Sequence, residues 1–485
     1  MNTNIPLINV TDSAIDLEGQ ESKVLVNKLK TASSTYGTAN KIYSRPMTGF
    51  FQSIRKYSLS VLLLMYFLFA WIEVDGTPLM LFDLVDQKFY LFGLIFWPQD
   101  FTLLAFALII SAFGLFFITA LYGRVWCGYS CPQTAWSFIF IWLEDFFEGS
   151  RQQRIKLDAS PMSFIKAAKK SAKHFSWLVV AVATAITFVG YFYPIRALVN
   201  ALLSFSLESG VTWFWLIFFT AATYLNAGWL REKVCIYMCP YARFQSVMFN
   251  ENTLLVGYDA KRGEARGSRP RTEKNTNLGD CIDCQICVQV CPVGIDIRDG
   301  LQYECIGCAL CIDACDSIMM KMDYPKGLIR YASEVELEQG QPNKKIDTRV
   351  IAYGLILLIA ISLFSDLMIS RPQLELSVLR DRGALFNFNG IGQVENYFTL
   401  KIMNKREVAD VFSLKVLGLE ALHLPEQNFK VGPGEVKTFP LTVTLDQNTL
   451  KQSASEIVFI VQSQSESEIR ARFTSKYLAP FNYDM

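Results

Sequence analysis

Up to residue 370 the chain alternates long apolar runs with polar loops, and beyond it apolar and polar residues alternate one by one. Five apolar stretches approach or reach the roughly 20 residues that a bilayer-crossing helix requires. They are 57–76, 101–121, 175–193, 211–230 and 350–370. The first is the weakest, because Glu73 and Asp75 crowd its end. Two more, 79–98 and 135–147, carry Asp83, Asp86 and Lys88, or Glu144 and Asp145. These are expected to be interfacial or partly re-entrant pieces rather than spans. The opening 56 residues are polar and lack an apolar h-region, so no cleavable signal peptide is expected.

In the tail, Phe398, Leu400 and Ile402 alternate with Thr399 and Lys401, and Phe412, Leu414 and Val416 with Ser413 and Lys415. Phe439, Leu441, Val443 and Leu445 repeat the pattern, as do Ile469, Ala471 and Phe473. With turns such as Gly432-Pro433-Gly434, this period-two alternation predicts the half-buried strands of a small β-sandwich. The tail has no cysteine. It reads as a packing or docking module, with His423 a surface residue.

Composition agrees with a membrane chain: 51% of the 485 residues are hydrophobic and only 19% charged, with a mean hydropathy of +0.24. Lys and Arg total 46 against 45 Asp and Glu, so nothing implies a nucleic-acid partner. Two histidines, His174 and His423, are too few for a chain carrying bis-histidine haems across a bilayer. Basic residues set the orientation. Arg55 and Lys56 precede the first span; Arg151, Arg154, Lys156, Lys166, Lys169, Lys170 and Lys173 fill the loop between the second and third; Lys345 and Arg349 precede the fifth. The loops after spans one and three offer little beyond Lys88 and Arg196. Five spans then put the N-terminus and 231–349 in the cytoplasm and everything after 370 outside. The expected layout is a cytoplasmic segment 1–56, a transmembrane domain 57–250, a cytoplasmic insert 251–348, a last span 349–370 and an outer β-domain 371–485.

Eight of the 12 cysteines fall between 281 and 315. Cys281-x2-Cys284-x2-Cys287-x3-Cys291-Pro292 is followed by Cys305-x2-Cys308-x2-Cys311-x3-Cys315. This is the bacterial two-cluster ferredoxin spacing, in which three cysteines of one run and the fourth of the other hold each [4Fe–4S] cluster. It assigns Cys281, Cys284, Cys287 and Cys315 to one cluster, and Cys305, Cys308, Cys311 and Cys291 to the other. A pair of structural zinc sites would leave the regular third and fourth cysteines unexplained twice over. Asp316 stands where a proline usually follows the fourth cysteine, placing an acid beside one cluster. The Met319-Met320-x-Met322 group is read as packing under the second loop.

The other four cysteines form an internal repeat. Cys127-x3-Cys131-Pro132 follows the second span, and Cys235-x3-Cys239-Pro240 follows the fourth. Cysteines at i and i+4 share a helix face, and the proline ends or kinks that helix. Brought together, the pairs would offer up to four soft thiolates, which select Cu(I), zinc or an iron–sulfur cluster; Met238 could add a thioether. The competing reading is that these cysteines are small buried hydrophobes at helix contacts. His174, at the end of the third span, is read as interfacial rather than a ligand.

These motifs together resemble the cytochrome c oxidase accessory protein family, CcoG, also called FixG or RdxA, over nearly the whole chain. The stretch from Gly300 to Asp316 is especially similar, Asp316 included, as is the segment from Tyr258 to Arg266, whose role the sequence does not explain. The resemblance implies a multi-domain integral membrane protein of the bacterial inner membrane. Its helical bundle would carry an inserted cytoplasmic 2[4Fe–4S] ferredoxin-like domain and a C-terminal periplasmic immunoglobulin-like β-sandwich. It implies a cupric reductase supplying Cu(I) for assembly of cbb-type cytochrome oxidase. Cys127, Cys131, Cys235 and Cys239 would be the copper site, and the eight ferredoxin cysteines the relay feeding it. The implied partners are a cytoplasmic electron donor, copper chaperones or a copper-transporting ATPase, and the oxidase assembly machinery; whether the chain forms a homo-oligomer is left open. Two alternatives stand beside it. One is a quinol-linked electron-transfer protein resembling the NapH subunits of periplasmic nitrate reductase systems, a type without the C-terminal β-domain. The other is a non-enzymatic oxidase assembly scaffold.

Overall fold

A computed structural model describes residues 41–480 except 75, 86, 208, 272–277, 341–346, 382, 407, 419–426 and 447–451. Lys345 and His423 lie outside the described residues. The chain divides into two compact units, with the break after Ser362.

The first unit is built on helices α1 (Phe50–Phe69), α2 (Phe101–Tyr122), α3 (Pro132–Glu148), α4 (Phe164–Gly190), α5 (Gly210–Thr223) and, within the cysteine-rich insert, α6 (Leu310–Met322). Helix α7 (Thr348–Ile369) follows. Among the described residues three helices are long and apolar enough to cross a bilayer: Pro98–Tyr122, Phe164–Gly190 and Thr348–Ile369. The first and fourth of the five expected stretches fall short of that measure. Helix α1 starts earlier than its apolar run and so includes Arg55 and Lys56. Helix α5 is 14 residues long and widens into a π-helical turn, Tyr224–Leu230.

The stretch 79–98, expected as an interfacial or re-entrant piece, is instead a three-stranded antiparallel sheet of Met80–Asp83, Lys88–Leu91 and Leu94–Phe96. Strands this short satisfy their backbone groups laterally, and Phe82 N also donates to Tyr191 O at 2.7 Å.

Helix α1 begins where it does because of a cap supplied from the insert. The first N–H groups of a helix have no partner within it. Here Asp313, on α6, accepts from Phe51 N (3.2 Å) and Gln52 N (2.8 Å). A Cβ on Gly49 would stand 2.2 Å from Asp313 Cγ, so the residue before the helix must be glycine. Within the insert, Leu255–Tyr258 pairs with Ile329–Ala332. The sheet and α6 enclose a core of Val256, Ile297, Ile312, Met319, Leu328 and Ile329.

The second unit is a β-sandwich whose strands are β1 (Leu374–Arg380), β2 (Val394–Asn404), β3 (Asp410–Leu417), β4 (Gln427–Val431), β5 (Val436–Leu445), β6 (Ala454–Ser463) and β7 (Arg470–Leu478). One sheet runs β5-β2-β1 and the other β4-β3-β6-β7, every pairing antiparallel. The alternation read in the sequence is the inward register: Phe398, Leu400, Ile402, Phe412, Leu414, Leu441, Val443 and Leu445 all lie in one core with Phe459.

At the end of β3, Asp410 is buried and accepts hydrogen bonds from Ser463 Oγ (2.5 Å), Ser465 Oγ (2.6 Å) and Val411 N (2.7 Å), beside Arg406 at 3.0 Å. Burial opposes its ionisation, but these partners outweigh burial and hold its carboxyl below its ordinary value of 3.8. A depressed carboxylate contributes stability above its unfolded-state value, and that stability drains away as pH falls through the folded one. Chemical denaturation of the sandwich between pH 7 and pH 3 should therefore show stability falling on acidification, with a shallower fall in Asp410→Asn. An equally steep fall in the variant would assign the acid sensitivity to other groups.

Candidate metal centres and their junction

In each ferredoxin run the chain wraps a loop and then starts a helix, Ile286–Val290 after the first and α6 after the second. The residues opening those helices, Gln285 and Ala309, follow the second cysteine of each run, and both are left-handed, with φ of 55° and 58°. Such backbone persists only where its surroundings over-determine it. The thiols meet across the two runs. Burial, then Cys287, Cys281, Cys284 and Asp316 among its neighbours, push Cys315 up to about 12. Burial, then Cys308 and Cys305, push Cys291 up to about 12, while the N–H groups of Val293 and Ile295 point at its sulfur. Cys311 is raised by burial and then by Cys308, Cys305 and Cys291. A small cavity is walled by Cys291, Cys305, Cys308 and Cys311, with Cys287 at one side. Among the described residues no three His, Cys, Asp or Glu side chains close on a single ion. Thiols drawn from both runs around one cavity fit the shared-cysteine arrangement of a two-cluster ferredoxin.

The segment from Tyr258 to Arg266 braces the entry to Cys281. Asp259 caps the turn Ala260–Gly263, and Arg262 is paired to Asp280 at 2.6 Å and bonded to Lys326 O. Gly267 N donates to Cys281 O. Asp316, in the place of the usual proline, accepts from Gly327 N at 2.9 Å and closes the loop leading to the sheet. Met319 is core, whereas Met320 is exposed.

The two Cys-x3-Cys-Pro motifs are cross-tied, each to the helix that follows the other. Cys127 Sγ is 3.5 Å from Gln245 Oε1, on the helix Pro240–Met248, and Gln245 Nε2 donates to Gly123 O. Gln133, just after the first motif, donates to Asn226 O and Arg231 O, just before the second (3.1 Å each). Arg124 donates to Ala242 O at 3.0 Å, and Arg231 to the buried Glu144 at 2.8 Å. Burial, followed by Cys131 among its neighbours, pushes Cys127 up to about 12; Cys235 rises to about 11 for the same reasons. Thiols this reluctant to ionise become thiolates when a cation supplies the compensating charge. Met238 is 64% exposed. His174 Nδ1 is 2.8 Å from Tyr224 Oη and packs edge-on against Trp177.

The membrane motif and the ferredoxin module meet backbone to backbone. A Cβ on Gly128, between Cys127 and Cys131, would stand 2.9 Å from Cys308 Cα and 3.0 Å from the carbonyls of Ile306 and Gly307. On the other side Gly307, at φ +64°, leaves no room for a Cβ against the Arg124 backbone (3.1 Å). Arg124 clamps the contact, its guanidinium donating to Tyr303 O and to Cys305 O at 3.2 Å. Tyr129 Oη reaches Cys308 O at 3.4 Å, and Arg55 Nε holds Gly128 O at 3.1 Å. Arg124, Gly128, Gln133, Gln245 and Asp313 were not singled out by sequence reasoning; only their nearness to cysteines could have flagged them.

Because the atoms facing Gly128 are backbone, they cannot swing aside. Gly128→Val should displace the Ile306-Gly307-Cys308 loop, lowering iron content and cluster absorbance in purified protein, with Gly128→Ala intermediate. Wild-type iron and absorbance in the valine variant would mean that the loop does not depend on this contact.

Three family descriptions match the chain: "4Fe-4S dicluster domain" over residues 230–334, "4Fe-4S binding domain" over 104–145, and "IG-like fold at C-terminal of FixG" over 365–480. The nitrogen fixation protein FixG of Rhizobium meliloti is 34% identical over 492 aligned residues, covering 91% of this chain and 94% of that relative. Protein RdxA of Cereibacter sphaeroides is 36% identical over 401 residues, covering 80% and 84%. The crystal structure of a FixG-related protein from Vibrio parahaemolyticus is 31% identical, covering 22% of this chain and 98% of its own, with a TM-score of 0.21. The two ferredoxin-type matches support bound iron–sulfur clusters, and the chain belongs to the FixG/RdxA family of iron–sulfur proteins.

Proposed function

We propose that this protein is a membrane-bound cupric reductase, reducing Cu(II) to Cu(I) at Cys127, Cys131, Cys235 and Cys239 for assembly of a cbb-type cytochrome oxidase. The observation that carries the reading is the junction, where the loop bearing Cys305 and Cys308 packs directly on the loop bearing Cys127 and Cys131. Electron transfer weakens steeply with distance, and only a backbone contact separates the two loops. Clusters held by the eight ferredoxin cysteines supply one-electron storage when bound. The rest falls to the chain itself. Arg124 fixes the spacing of the loops. Burial holds the Cys127 and Cys235 thiols above their ordinary value, so metal entry at these two releases protons. Thiolate ligation favours Cu(I) over Cu(II), making the reduction downhill.

On this reading the insert and N-terminus lie in the cytoplasm of a bacterial inner membrane and the β-sandwich outside. Copper chaperones or a copper-transporting ATPase and the oxidase assembly machinery are the partners. The match of 104–145 to a "4Fe-4S binding domain" supports a second reading, in which the four membrane thiols hold a further cluster.

Metal content separates the two. Anaerobically purified protein should carry about eight iron atoms per chain, as two [4Fe–4S] clusters require; about twelve would assign the membrane thiols to iron. Cys127→Ser and Cys235→Ser should keep the wild-type iron content. Trapping of Cu(I) by a chelator, after Cu(II) is added to the reduced protein, should slow by more than about tenfold in each, a loss of over about 1.4 kcal/mol in the barrier. Undiminished trapping would remove those cysteines from the mechanism.

A further inference from the structure

The two ferredoxin centres have different surroundings. In the first, of Cys281, Cys284, Cys287 and Cys315, Cys284 is exposed; in the second, of Cys291, Cys305, Cys308 and Cys311, the matching residue, Cys308, is buried. The second lies at the junction, through the contact of Gly128 with the Ile306-Gly307-Cys308 backbone. Exposure marks the first centre as the way in for an electron, and the junction marks the second as the way out. That order runs against burial. Reducing a cluster adds a negative charge, and withdrawal from water disfavours the added charge. Burial alone would lower the second potential and strand electrons on the first centre.

The fixed charges act the other way. Arg124 is 6% exposed, and among the described residues its partners are the carbonyls of Tyr303, Cys305 and Ala242 and the Phe249 ring, with no carboxylate. Its Nε has no hydrogen-bond partner. A guanidinium keeps its charge when buried, and it acts more strongly there than in water. On Cys305 its effect exceeds that of Glu304, which opposes it. The first centre has the reverse balance. Asp316 acts on Cys315. Arg298, which acts on Cys287, is tied to Asp296 (2.6 Å) and Asp283 (2.5 Å). Three carboxylates there stand against one guanidinium.

We propose that Arg124 is a positioning residue for electron transfer: its buried charge, paired with no carboxylate, raises the potential of the second centre above that of the first and so directs electrons toward the membrane cysteines. In the step so favoured one electron leaves the first centre and arrives on the second. No bond is made or broken, and the guanidinium supplies the compensating charge. The inference rests on the eight ferredoxin cysteines holding clusters, as in the function proposed above, and not on copper.

The test is a potentiometric titration of the full-length, cluster-loaded protein in detergent under anaerobic conditions, followed by the electron paramagnetic resonance of the reduced clusters. Two one-electron waves are expected. Arg124→Gln should lower the higher wave alone, cutting its reduced-to-oxidised ratio at a fixed potential about tenfold, a shift of about 59 mV. Arg124→Lys, which keeps the charge but not the forked clamp, should leave that wave at its wild-type position. Asp316→Asn should raise only the lower wave, which assigns it to the first centre. The guanidinium carbon of Arg124 lies 5.7 Å from the centroid of the Phe249 ring. Phe249→Glu therefore sets a carboxylate against the intact clamp and should lower the same wave as Arg124→Gln, which keeps the question decidable if the glutamine variant loses iron. The proposal is overturned if Arg124→Lys falls as far as Arg124→Gln, if Arg124→Gln shifts the lower wave, or if neither Arg124→Gln nor Phe249→Glu shifts a wave in protein of full iron content. No copper is added, so failure of the copper reading would leave these potentials as they are.

Discussion

Two backbones can touch only where neither carries a side chain in the way, and that constraint fixes the redox half of this protein. Gly128 and Gly307 are the residues that meet it, each facing backbone atoms that a Cβ would strike. Arg124 locks the contact from the membrane side by bonding to carbonyls of the ferredoxin loop. Asp313 locks it from the ferredoxin side by capping the first turn of α1. These residues lie between or beside cysteines, so the geometry that docks the two modules is also the geometry that spaces the candidate metal centres.

A second constraint is the charge buried among α3, α4 and the segment between them. Glu144, Glu148, Arg154 and Lys173 are almost wholly buried. Ions so placed cost several kcal/mol each unless paired. Glu144 is met by Lys41 (2.9 Å) and Arg231 (2.8 Å), Glu148 by Lys173 (2.8 Å) and Lys170 (3.0 Å), and Asp145 by Arg154 (2.9 Å). Removing one member would strand its partners, so the set holds Arg231, and with it the second cysteine motif, as a unit. The same pairs show that Arg154, Lys170 and Lys173 are engaged in packing besides any part they play in membrane orientation.

Much of this was legible in the chain because the relevant signals are local. Cysteine spacing exposed the ferredoxin runs, period-two alternation exposed the sandwich strands, and length and apolarity exposed α2, α4 and α7. What stayed hidden depends on contacts distant in sequence. Nothing in the apolar run at 57–76 says that its helix starts at Phe50, because the cap, Asp313, is 262 residues from Phe51. The stretch 79–98 is apolar enough to suggest an interfacial or partly re-entrant piece, yet its turns between short strands decide for a sheet. Gln133 and Gln245 look like ordinary polar residues until the fold brings each to the other motif.

The cysteine repeat is not used symmetrically, and the asymmetry can be traced to one position. Where the first motif has Gly128 after its leading cysteine, the second has Ile236. A branched side chain there forbids the backbone approach that Gly128 permits, so the second motif could not dock on a ferredoxin loop in the same way even if one were offered. The local backbone differs accordingly, α-helical over Val125–Tyr129 but π-helical over Val234–Met238. Cys127 and Cys131 therefore belong to the loop that meets the ferredoxin module, while Cys235 lines a cavity of about 170 Å³ beside α1 and α3. A duplicated motif has been divided into one half that receives a neighbouring backbone and one half that borders a cavity.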